Sequence, residues 1–381
     1  MRKKDLFIFA GEPSGDLHGE ALLKNLYQLD PTLKVFGVAG PKMRQIGLDT
    51  ILPMEEFQVM GFVAVFFALP KIVRHLFFLV KEILKENPET VVCIDYPGFC
   101  LRLERSLRKK GFKGRIIHYI SPTIWAHGKK RKALLEKNVD LLLSILPFEK
   151  NHFNSNFPVE YVGHPLIERI AEYTYKPFLS NQNQKIISLF PGSRKKEIEL
   201  NFPLQIKVLK KLLYRDSNFV GAISISQPTF IPLLKTILEQ EQISLERILF
   251  IPIENAYELM AHTFLAIAKS GTITLELALH KVPTVVVYKI SPCDLFIAKN
   301  ILRINLPFYC IVNIIAQKEI FKELIGPFAT ENNLYKEALN LINDPSYYSM
   351  KKKLCEEVET LLGTSKASIK AANLILESKK Q

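Results

Sequence analysis

Residues 5–29 read DLFIFAGEPSGDLHGEALLKNLYQL: a short apolar run, a glycine-bearing loop and a stretch with helical spacing. A strand, a glycine loop and a helix in this order often cradle a phosphate. This loop, however, carries Glu12 and Asp16, two carboxylates that would repel a phosphate. Its glycines recur every four residues and match neither the GxGxxG fingerprint nor the Walker loop. The stretch therefore predicts one β-α unit of a parallel sheet whose loop serves another chemistry.

The same alternation of apolar runs and helical patterns continues through all 381 residues. Near-continuous apolar strands separated by helices are typical of parallel sheets covered on both faces. We expect an α/β protein of two Rossmann-like, doubly wound domains facing a central cleft, with C-terminal helices that can return to the first domain. The predicted strands are 5–10, 34–40, 90–95, 115–120, 140–145, 159–163, 185–190, 219–226, 247–252, 264–268 and 283–289.

The domain boundaries follow from a polar stretch near the middle of the chain. Residues 175–185 lack periodicity and contain a proline, which is typical of a linker. We expect one domain at 1–174, a second at 185–345, and a Lys- and Glu-rich helical tail at 346–381.

The chain is basic, and its formal net charge of +13 indicates an acidic partner such as nucleic acid, an anionic membrane or a phosphorylated substrate. Nucleic-acid binding predicts basic residues interleaved with exposed aromatics. Here the basic clusters accompany an apolar stretch at 57–84, which favours lipid over nucleic acid. The five cysteines form no CxxC and the eight histidines no HExxH, so we expect no structural disulfide and no metal.

Two loops of the second domain are suited to an anion. In the first, LFPGSR follows a predicted strand, and free N–H groups at the next helix start, with Ser193 and Arg194, make a diphosphate clamp. The ordinary alternative is a simple turn whose arginine is a solvated surface charge.

The second loop, KSGT, also lies between a strand and a helix. Ser270 and Thr272 can cap the helix and donate to an anion, and Gly271 lets backbone approach a ligand. Glu276 lies on the same helix face as Thr272, where an acidic residue can bind ribose hydroxyls. Two such loops in one domain predict a nucleoside diphosphate site, against the alternative of ordinary helix capping with Glu276 in a surface ion pair.

The first domain presents acids instead. Asp95 ends a buried strand, on the same expected sheet edge as Glu12 and Asp16. Such carboxylates suit a hydroxyl-bearing acceptor that must be oriented and deprotonated. We take Asp95 and Glu12 as catalytic candidates, and Ser14 and Asp16 as substrate-binding candidates. The alternatives are a loop cap for Asp95 and a helix-dipole partner for Asp16.

Together these stretches resemble the lipid A disaccharide synthase family of Gram-negative outer-membrane biogenesis. The resemblance covers nearly the whole chain through AGEPSGDLHG, VAGPKM, MEEFQVMGF, CIDYPGF, HYISPTIWA, LPFEK, VGHPL, LFPGSR, SGTITLELAL, PTVVVYK and VNIIA. The chain departs from the family pattern at Gly98, His127, Val312 and Gln317.

The resemblance implies the GT-B fold and an inverting hexosyltransferase that needs no metal or other cofactor. The donor would be UDP-2,3-diacylglucosamine and the acceptor 2,3-diacylglucosamine 1-phosphate (lipid X), giving a β-1,6-linked disaccharide phosphate and UDP. It further implies Asp95 as the base, Arg194, Glu276 and Asn313 as contacts of the donor nucleotide, and a peripheral location on the cytoplasmic face of the inner membrane.

We expect residues 61–84 to form a membrane-docking surface that admits acyl chains. Pro70 would lie in the first turn of a helix whose broad apolar face is flanked by basic residues, a pattern that suits an anionic membrane interface. The ordinary alternative is an amphipathic core helix. The acyl-chain candidates are Val65, Phe66, Phe67, Leu69, Ile72, Val73 and Leu76, and the face continues through Phe77, Leu79, Val80, Ile83 and Leu84.

Two alternative functions stay open at this point. One is another GT-B enzyme that uses a UDP-sugar, such as an epimerase or a lipid-linked glycosyltransferase. The other is a non-catalytic protein that binds anionic lipid or nucleic acid through its charge. The sequence leaves the acyl-chain length and the oligomeric state open, a homodimer included.

Overall fold

A computed structural model of the chain describes residues 4–57, 62–124, 128–178, 184–291, 306–364 and 366–377, with residues 62–68 and 129 described by their backbone alone. The strands are β1 Leu6–Ala10, β2 Val35–Ala39, β3 Asp49–Pro53, β4 Thr90–Ile94, β5 Arg115–Tyr119, β6 Leu141–Ser144, β7 Val159–Tyr161, β8 Lys185–Phe190, β9 Phe219–Ile225, β10 Ile248–Pro252, β11 Thr263–Lys269, β12 Thr284–Tyr288 and β13 Lys322–Ile325. The α-helices are α1 Pro13–Leu29, α2 Pro41–Gln45, α3 Phe62–Glu86, α4 Pro97–Lys109, α5 Lys129–Asn138, α6 Pro165–Ala171, α7 Lys195–Arg215, α8 Ile231–Gln240, α9 Ala256–His262, α10 Ile273–Leu279, α11 Ile311–Ala316, α12 Glu331–Asn343, α13 Pro345–Leu362 and α14 Ala367–Leu376.

The strands form two sheets, and every strand pair in them is parallel. The first sheet has the order β3-β2-β1-β4-β5-β6-β7 and the second β10-β9-β8-β11-β12-β13. In both, the strand order reverses once, between β1 and β4 and between β8 and β11. Doubly wound sheets bind their ligands at such a reversal, beyond the carboxyl ends of the strands. The predicted α/β fold of two Rossmann-like domains is confirmed.

The first sheet is covered on both faces because its strands are apolar on both. Phe7, Phe9, Val91 and Cys93 belong to the core beneath α3 and α4. Their neighbours along the strands belong to the opposite core, which is completed by α1 and α14, and include Ile8, Ala10, Val92 and Ile94. This is why these strands show no apolar–polar alternation.

The chain divides into two compact units, 1–170 with 363–381, and 171–362. The segment expected as a tail is therefore shared: α13 lies in the second unit, and α14 lies in the first. Three hydrogen bonds hold α14 there. Ser368 Oγ accepts from Asn25 Nδ2 at 2.8 Å, the Ser368 N–H donates to Glu168 at 3.1 Å, and Arg115 donates to the Leu374 carbonyl at 2.9 Å.

The helix expected to start at Pro70 starts earlier. It begins at Phe62, and Pro70 lies in its interior instead of its first turn. The apolar run before the proline is thus helical rather than a loop. A proline in this position removes one intrahelical hydrogen bond, a cost the tertiary structure has to offset.

The broad apolar face expected on this helix is divided in two. Leu79, Val80 and Ile83 are buried in the core of the first unit. Ile72, Leu76 and Leu84 are half-buried against the same core. Leu69, Val73 and Phe77, spaced by four residues, are exposed at 51%, 41% and 66%. Only this exposed stripe remains available for docking, since Val65, Phe66 and Phe67 lie outside the described side chains. Among the described residues, no helix is long and apolar enough to cross a membrane.

Candidate active site

The candidate residues of the first unit lie at the reversal of its sheet. The loop after β1 carries Glu12 and Ser14, and Asp95 directly follows β4. The two strands are neighbours and pair in register up to Ala10 and Ile94. Parallel topology therefore brings the two loops together, as the sequence predicted from their shared sheet edge.

Asp95 and Glu12 form a carboxyl pair. A hydrogen bond joins the two groups, and Ser14 Oγ donates a second one to Glu12 Oε1 at 2.9 Å. Burial raises the pKa of Asp95 to about 6, and the charge of Glu12 and its hydrogen bond raise it further, against an opposing effect of His118. Two carboxylates this close cannot easily ionise together, so the pair holds a proton near neutral pH.

The backbone at Asp95 is strained. Asp95 and Tyr96 have φ of +48° and +49°, in the left-handed region that non-glycine residues rarely adopt. The Asp95 N–H donates to the Tyr119 carbonyl at 2.8 Å, and the Tyr96 hydroxyl donates to the Phe57 carbonyl at 2.9 Å. These bonds and the packing hold the turn. A Cβ at Gly11 would lie 2.8 Å from the ring of Phe9 and 2.9 Å from that of Tyr96, so the facing loop requires glycine there.

Asp16, predicted to bind substrate, is a structural carboxylate. It is 2% exposed and accepts three backbone hydrogen bonds, from Gly40 at 2.9 Å, Lys42 at 2.9 Å and Met43 at 3.1 Å. These amides form the start of helix α2, which Asp16 caps from the side. Both of its oxygens are engaged, so the substrate-binding assignment is corrected. The alternative of a dipole partner holds for a neighbouring helix rather than for its own.

Glu149 is an acid of the first unit that the sequence argument passed over. It is 1% exposed, and burial raises its pKa to about 8 despite hydrogen bonds from the Leu146 amide and Ser121. The charge of Asp95 also acts on it. A protonated Glu149 at neutral pH leaves the carboxylate pair without a third negative charge. An acid directly after the apolar run LLLSILPF was the available signal.

In the second unit, the two predicted anion loops follow β8 and β11, the strands at the reversal of that sheet. The Ser193 N–H donates to Glu197 at 3.2 Å, and Arg194 and Lys269 each donate to the same carboxylate at 3.2 Å. Burial raises the pKa of Glu197, but Lys269, the Ser193 N–H and Arg194 together lower it below its usual value. One carboxylate therefore joins both loops through an amide, a guanidinium and an ammonium.

Lys269 was missed from the sequence, although it ends a buried strand as Asp95 does. Its ammonium lies 4.8 Å from the centroid of the Tyr288 ring and about where the two loops meet, 4.0 Å from a Cβ built on Gly271. Gly192 has φ +124°, and a Cβ there would lie 2.9 Å from Glu197. Arg194, by contrast, is 81% exposed and so remains accessible to a ligand.

The SGT loop is open. Gly271 and Thr272 are exposed, and Ser270 Oγ donates to the Tyr309 carbonyl at 3.5 Å, a long contact. Glu276 is half-buried on α10, and its carbonyl accepts from His280 at 2.7 Å. The loop thus leaves Gly271 and Thr272 accessible at the helix start, as an anion site requires.

Asn313, implied as a contact of the nucleotide, is instead fully buried and saturated. Its oxygen accepts from the Ile320 and Phe321 amides at 2.8 and 2.9 Å, and its amide donates to Phe321 and Glu323 at 2.8 Å each. Its side chain fixes the turn after α11, so its implied direct role is corrected to a supporting one. In the described part of the chain, no group of three or more His, Cys, Asp or Glu residues is arranged to hold a metal.

The fold and the two reversal points define the class. Solved structures of the same architecture include a UDP-GlcNAc 2-epimerase from Neisseria meningitidis, at TM-score 0.62 and 13% identity over 99% of each chain. They also include MurG from Acinetobacter baumannii, at TM-score 0.57 and 16% identity over 99% of this chain and 100% of that one. The chain has the two-domain α/β fold of the GT-B glycosyltransferases and related epimerases.

The family is narrower than the fold. Residues 6–376 match the model of the Lipid-A-disaccharide synthetase family, and this chain belongs to that family. A lipid-A-disaccharide synthase of Chlamydia felis is 42% identical over 94% of this chain and 58% of its own length. One of Geobacter sulfurreducens is 33% identical over 98% of this chain and 96% of its own length. The resemblance found in the motifs is confirmed.

The chain spans about three fifths of the length of the chlamydial relatives it matches, with 58%, 60% and 57% covered in three of them. The Geobacter relative, in contrast, is matched almost end to end. The family is thus shown over the whole of this chain.

Proposed function

We propose that this chain is an inverting hexosyltransferase that makes the lipid A disaccharide. It transfers 2,3-diacylglucosamine from its UDP conjugate to the 6-hydroxyl of 2,3-diacylglucosamine 1-phosphate and releases UDP. The observation that carries the proposal is the Glu12–Asp95 carboxyl pair at the sheet reversal of a chain that belongs to this family.

Asp95 acts as the general base. It takes the proton of the acceptor hydroxyl as the oxygen attacks the anomeric carbon, and the bond from that carbon to the UDP oxygen breaks on the opposite face. A pKa near 6 suits this task, because the group is ionised at neutral pH and more basic than an ordinary aspartate. Glu12 shares the proton and orients the pair. It is the second candidate for the base.

The donor's diphosphate lies at the two loops of the second unit. Arg194 supplies a charge-assisted contact, and the accessible amides at Gly271 and Thr272 supply neutral ones. Ser193 and Ser270 offer hydroxyls beside them, and Glu276 on the following helix binds the ribose. Lys269 adds a second cation between the loops.

The acyl chains enter along the exposed stripe of α3. Leu69, Val73 and Phe77 form an apolar line, and Arg74 and Lys81 beside it are exposed. An apolar line with cations on either side suits the interface of an anionic membrane. The protein would then work as a peripheral enzyme on the cytoplasmic face of the inner membrane.

Mass spectrometry of the products tests the proposal. The purified chain, mixed with UDP-2,3-diacylglucosamine and 2,3-diacylglucosamine 1-phosphate, should yield the disaccharide phosphate and one UDP per product. UDP-N-acetylglucosamine, which lacks the acyl chains, should yield no UDP and no epimer. Epimerisation of that sugar without UDP release would favour an epimerase, and vesicle binding without any product would favour a non-catalytic lipid binder.

A further inference from the structure

A buried acid–imidazole pair lies beneath the carboxyl pair. Glu104 on α4 and His118 on β5 are both 0% exposed, and Glu104 Oε1 lies 2.6 Å from His118 Nδ1. The other polar atom of each group, Glu104 Oε2 and His118 Nε2, has no hydrogen-bond partner among the described residues. Keeping two polar groups out of water with half of their capacity unused is costly, which calls for a reason beyond packing.

Strand register places the pair directly below Asp95. Cys93 on β4 is the partner of His118 on β5, so their side chains share one face of the sheet. Asp95 follows Cys93 by two residues, and its N–H continues the ladder to the Tyr119 carbonyl. Helix α4, which begins right after Asp95, covers this face and brings Glu104 down onto His118.

Two thiols fill the space between the pair and Asp95. A hydrogen bond from Cys100 lowers the pKa of Cys93, but burial and the Glu104 carboxylate raise it above its ordinary value. Burial raises the pKa of Cys100 further, with contributions from Cys93, Glu104 and Asp95. Both thiols therefore stay protonated near neutral pH. Among these neighbours, which come from β4, α4 and the β1–α1 loop, only His118 can carry a positive charge.

We propose that Glu104 and His118 form a positioning pair in which His118 is an imidazolium whose charge keeps Asp95 ionised next to Glu12. The inference rests on the proposed function, in which Asp95 is the base. Glu104 holds the proton on the imidazole and fixes the ring under α4. The imidazolium then offsets the repulsion from Glu12, which otherwise favours the protonated, inactive form of Asp95.

The pH dependence of UDP release from UDP-2,3-diacylglucosamine and 2,3-diacylglucosamine 1-phosphate tests the pair. In His118→Gln the acidic limb of the rate profile should move up by about one pH unit, because an opposite charge near Asp95 is lost. Glu104→Gln should move it in the same direction, since a buried imidazole without its carboxylate gives up its proton. His75→Gln is the matched control: His75 is also buried and lies 3.1 Å from the carboxylate of Glu56, and the limb should stay in place.

A merely structural pair would lower the melting temperature and leave the acidic limb of both variants where it is, and this result would overturn the proposal. If neither variant folds, ¹⁵N NMR of histidines in the wild-type chain decides, with His118 assigned by through-bond correlation. Both ring nitrogens should be protonated at pH 7, and a neutral ring would overturn the proposal. Because this spectrum requires no turnover, it separates failure of the pair from failure of the proposed activity.

Discussion

Asp95 and Asp16 are aspartates at the same edge of the first sheet with opposite surroundings. Asp16 accepts three backbone N–H bonds, whereas Asp95 faces another carboxyl on a strained turn. Sequence spacing could not separate them, because both follow an apolar strand by one to six residues. The difference comes from the amides of residues 40–43, which are distant in sequence and contact only Asp16.

Asp95→Asn should abolish most turnover and leave the fold intact. Loss of a general base lowers the rate by about 10²–10⁴-fold. The melting temperature should hold or rise, because the repulsion from Glu12 is removed. UDP release under saturating substrates and calorimetry of UDP binding provide the measurements.

Asp16→Asn is the matched control, and its expected pattern is the reverse. An amide can accept fewer of the three N–H bonds, so the melting temperature should fall while UDP affinity in the second unit is unchanged. If Asp95→Asn keeps more than about a tenth of the wild-type rate, Asp95 is not the base, and Glu12 becomes the candidate.

Glu149 predicts a pH-dependent stability. Its pKa of about 8 in the folded chain exceeds the ordinary 4.5, so the folded state binds a proton that the unfolded state releases. Stability from this group is complete below the ordinary value and is lost as pH rises through 8, at about 1.4 kcal/mol per unit of pKa. Glu149→Gln should therefore gain melting temperature relative to wild type from pH 5 to pH 8.5. Glu160→Gln, an exposed change on β7, should show a constant difference; a constant difference for Glu149→Gln too would contradict the buried protonated acid.

At the scale of elements, the periodic pattern predicted eleven of the thirteen strands, and all eleven are present. The two it missed, β3 and β13, are the edges next to β2 and β12. An edge strand is buried less, so its sequence need not be apolar: DTILP and KELI carry charges and partly exposed positions. The same reasoning explains α3, where an apolar run gave the helix but could not tell which apolar side chains the core would take.

The start of α7 predicts a separable contribution to nucleotide binding. Arg194→Ala should weaken UDP binding about ten- to a hundredfold, the value of one charge-assisted contact. The melting temperature should change little, because the side chain is 81% exposed. Arg215→Ala at the other end of the same helix removes one contact to Asn343 and should leave UDP affinity unchanged. Equal affinities for wild type and Arg194→Ala, by calorimetry, would rule out the clamp.

Helix α3 predicts that docking and folding can be separated on one element. Replacing Leu69, Val73 and Phe77 with Gln should reduce co-sedimentation with anionic vesicles and leave the melting temperature nearly unchanged, since all three are exposed. Leu79→Ala, on the buried face, should instead destabilise the chain by about 2–5 kcal/mol and leave vesicle binding per folded molecule intact. If the triple variant unfolds, or binds vesicles as wild type does, the exposed stripe is not the docking surface.

At the scale of the whole molecule, one topology carries two chemistries. Each unit places its candidate loops where the strand order reverses, but the first presents acids there and the second presents cations. The acidic loop GEPSGD suits a hydroxyl to be deprotonated, and the loops LFPGSR and KSGT suit a diphosphate. Sequence could predict this division because it depends on residue type at strand ends. It could not predict Asn313, whose four hydrogen bonds close a turn that has no periodic signature.

The return of the chain to its first unit gives the last prediction. Ala367, Ala371, Ala372 and Ile375 of α14 are buried in the core that also contains Leu22 and Leu26 of α1. Ala372→Asp places an unpaired charge there and should lower the melting temperature of the first unit strongly. Asn373→Asp adds the same charge one residue on, at an exposed position, and should be nearly neutral. Calorimetry should show unchanged UDP affinity in both variants, because the nucleotide loops belong to the second unit. Equal melting curves for the two variants would mean that α14 does not contribute to the first unit's core in solution.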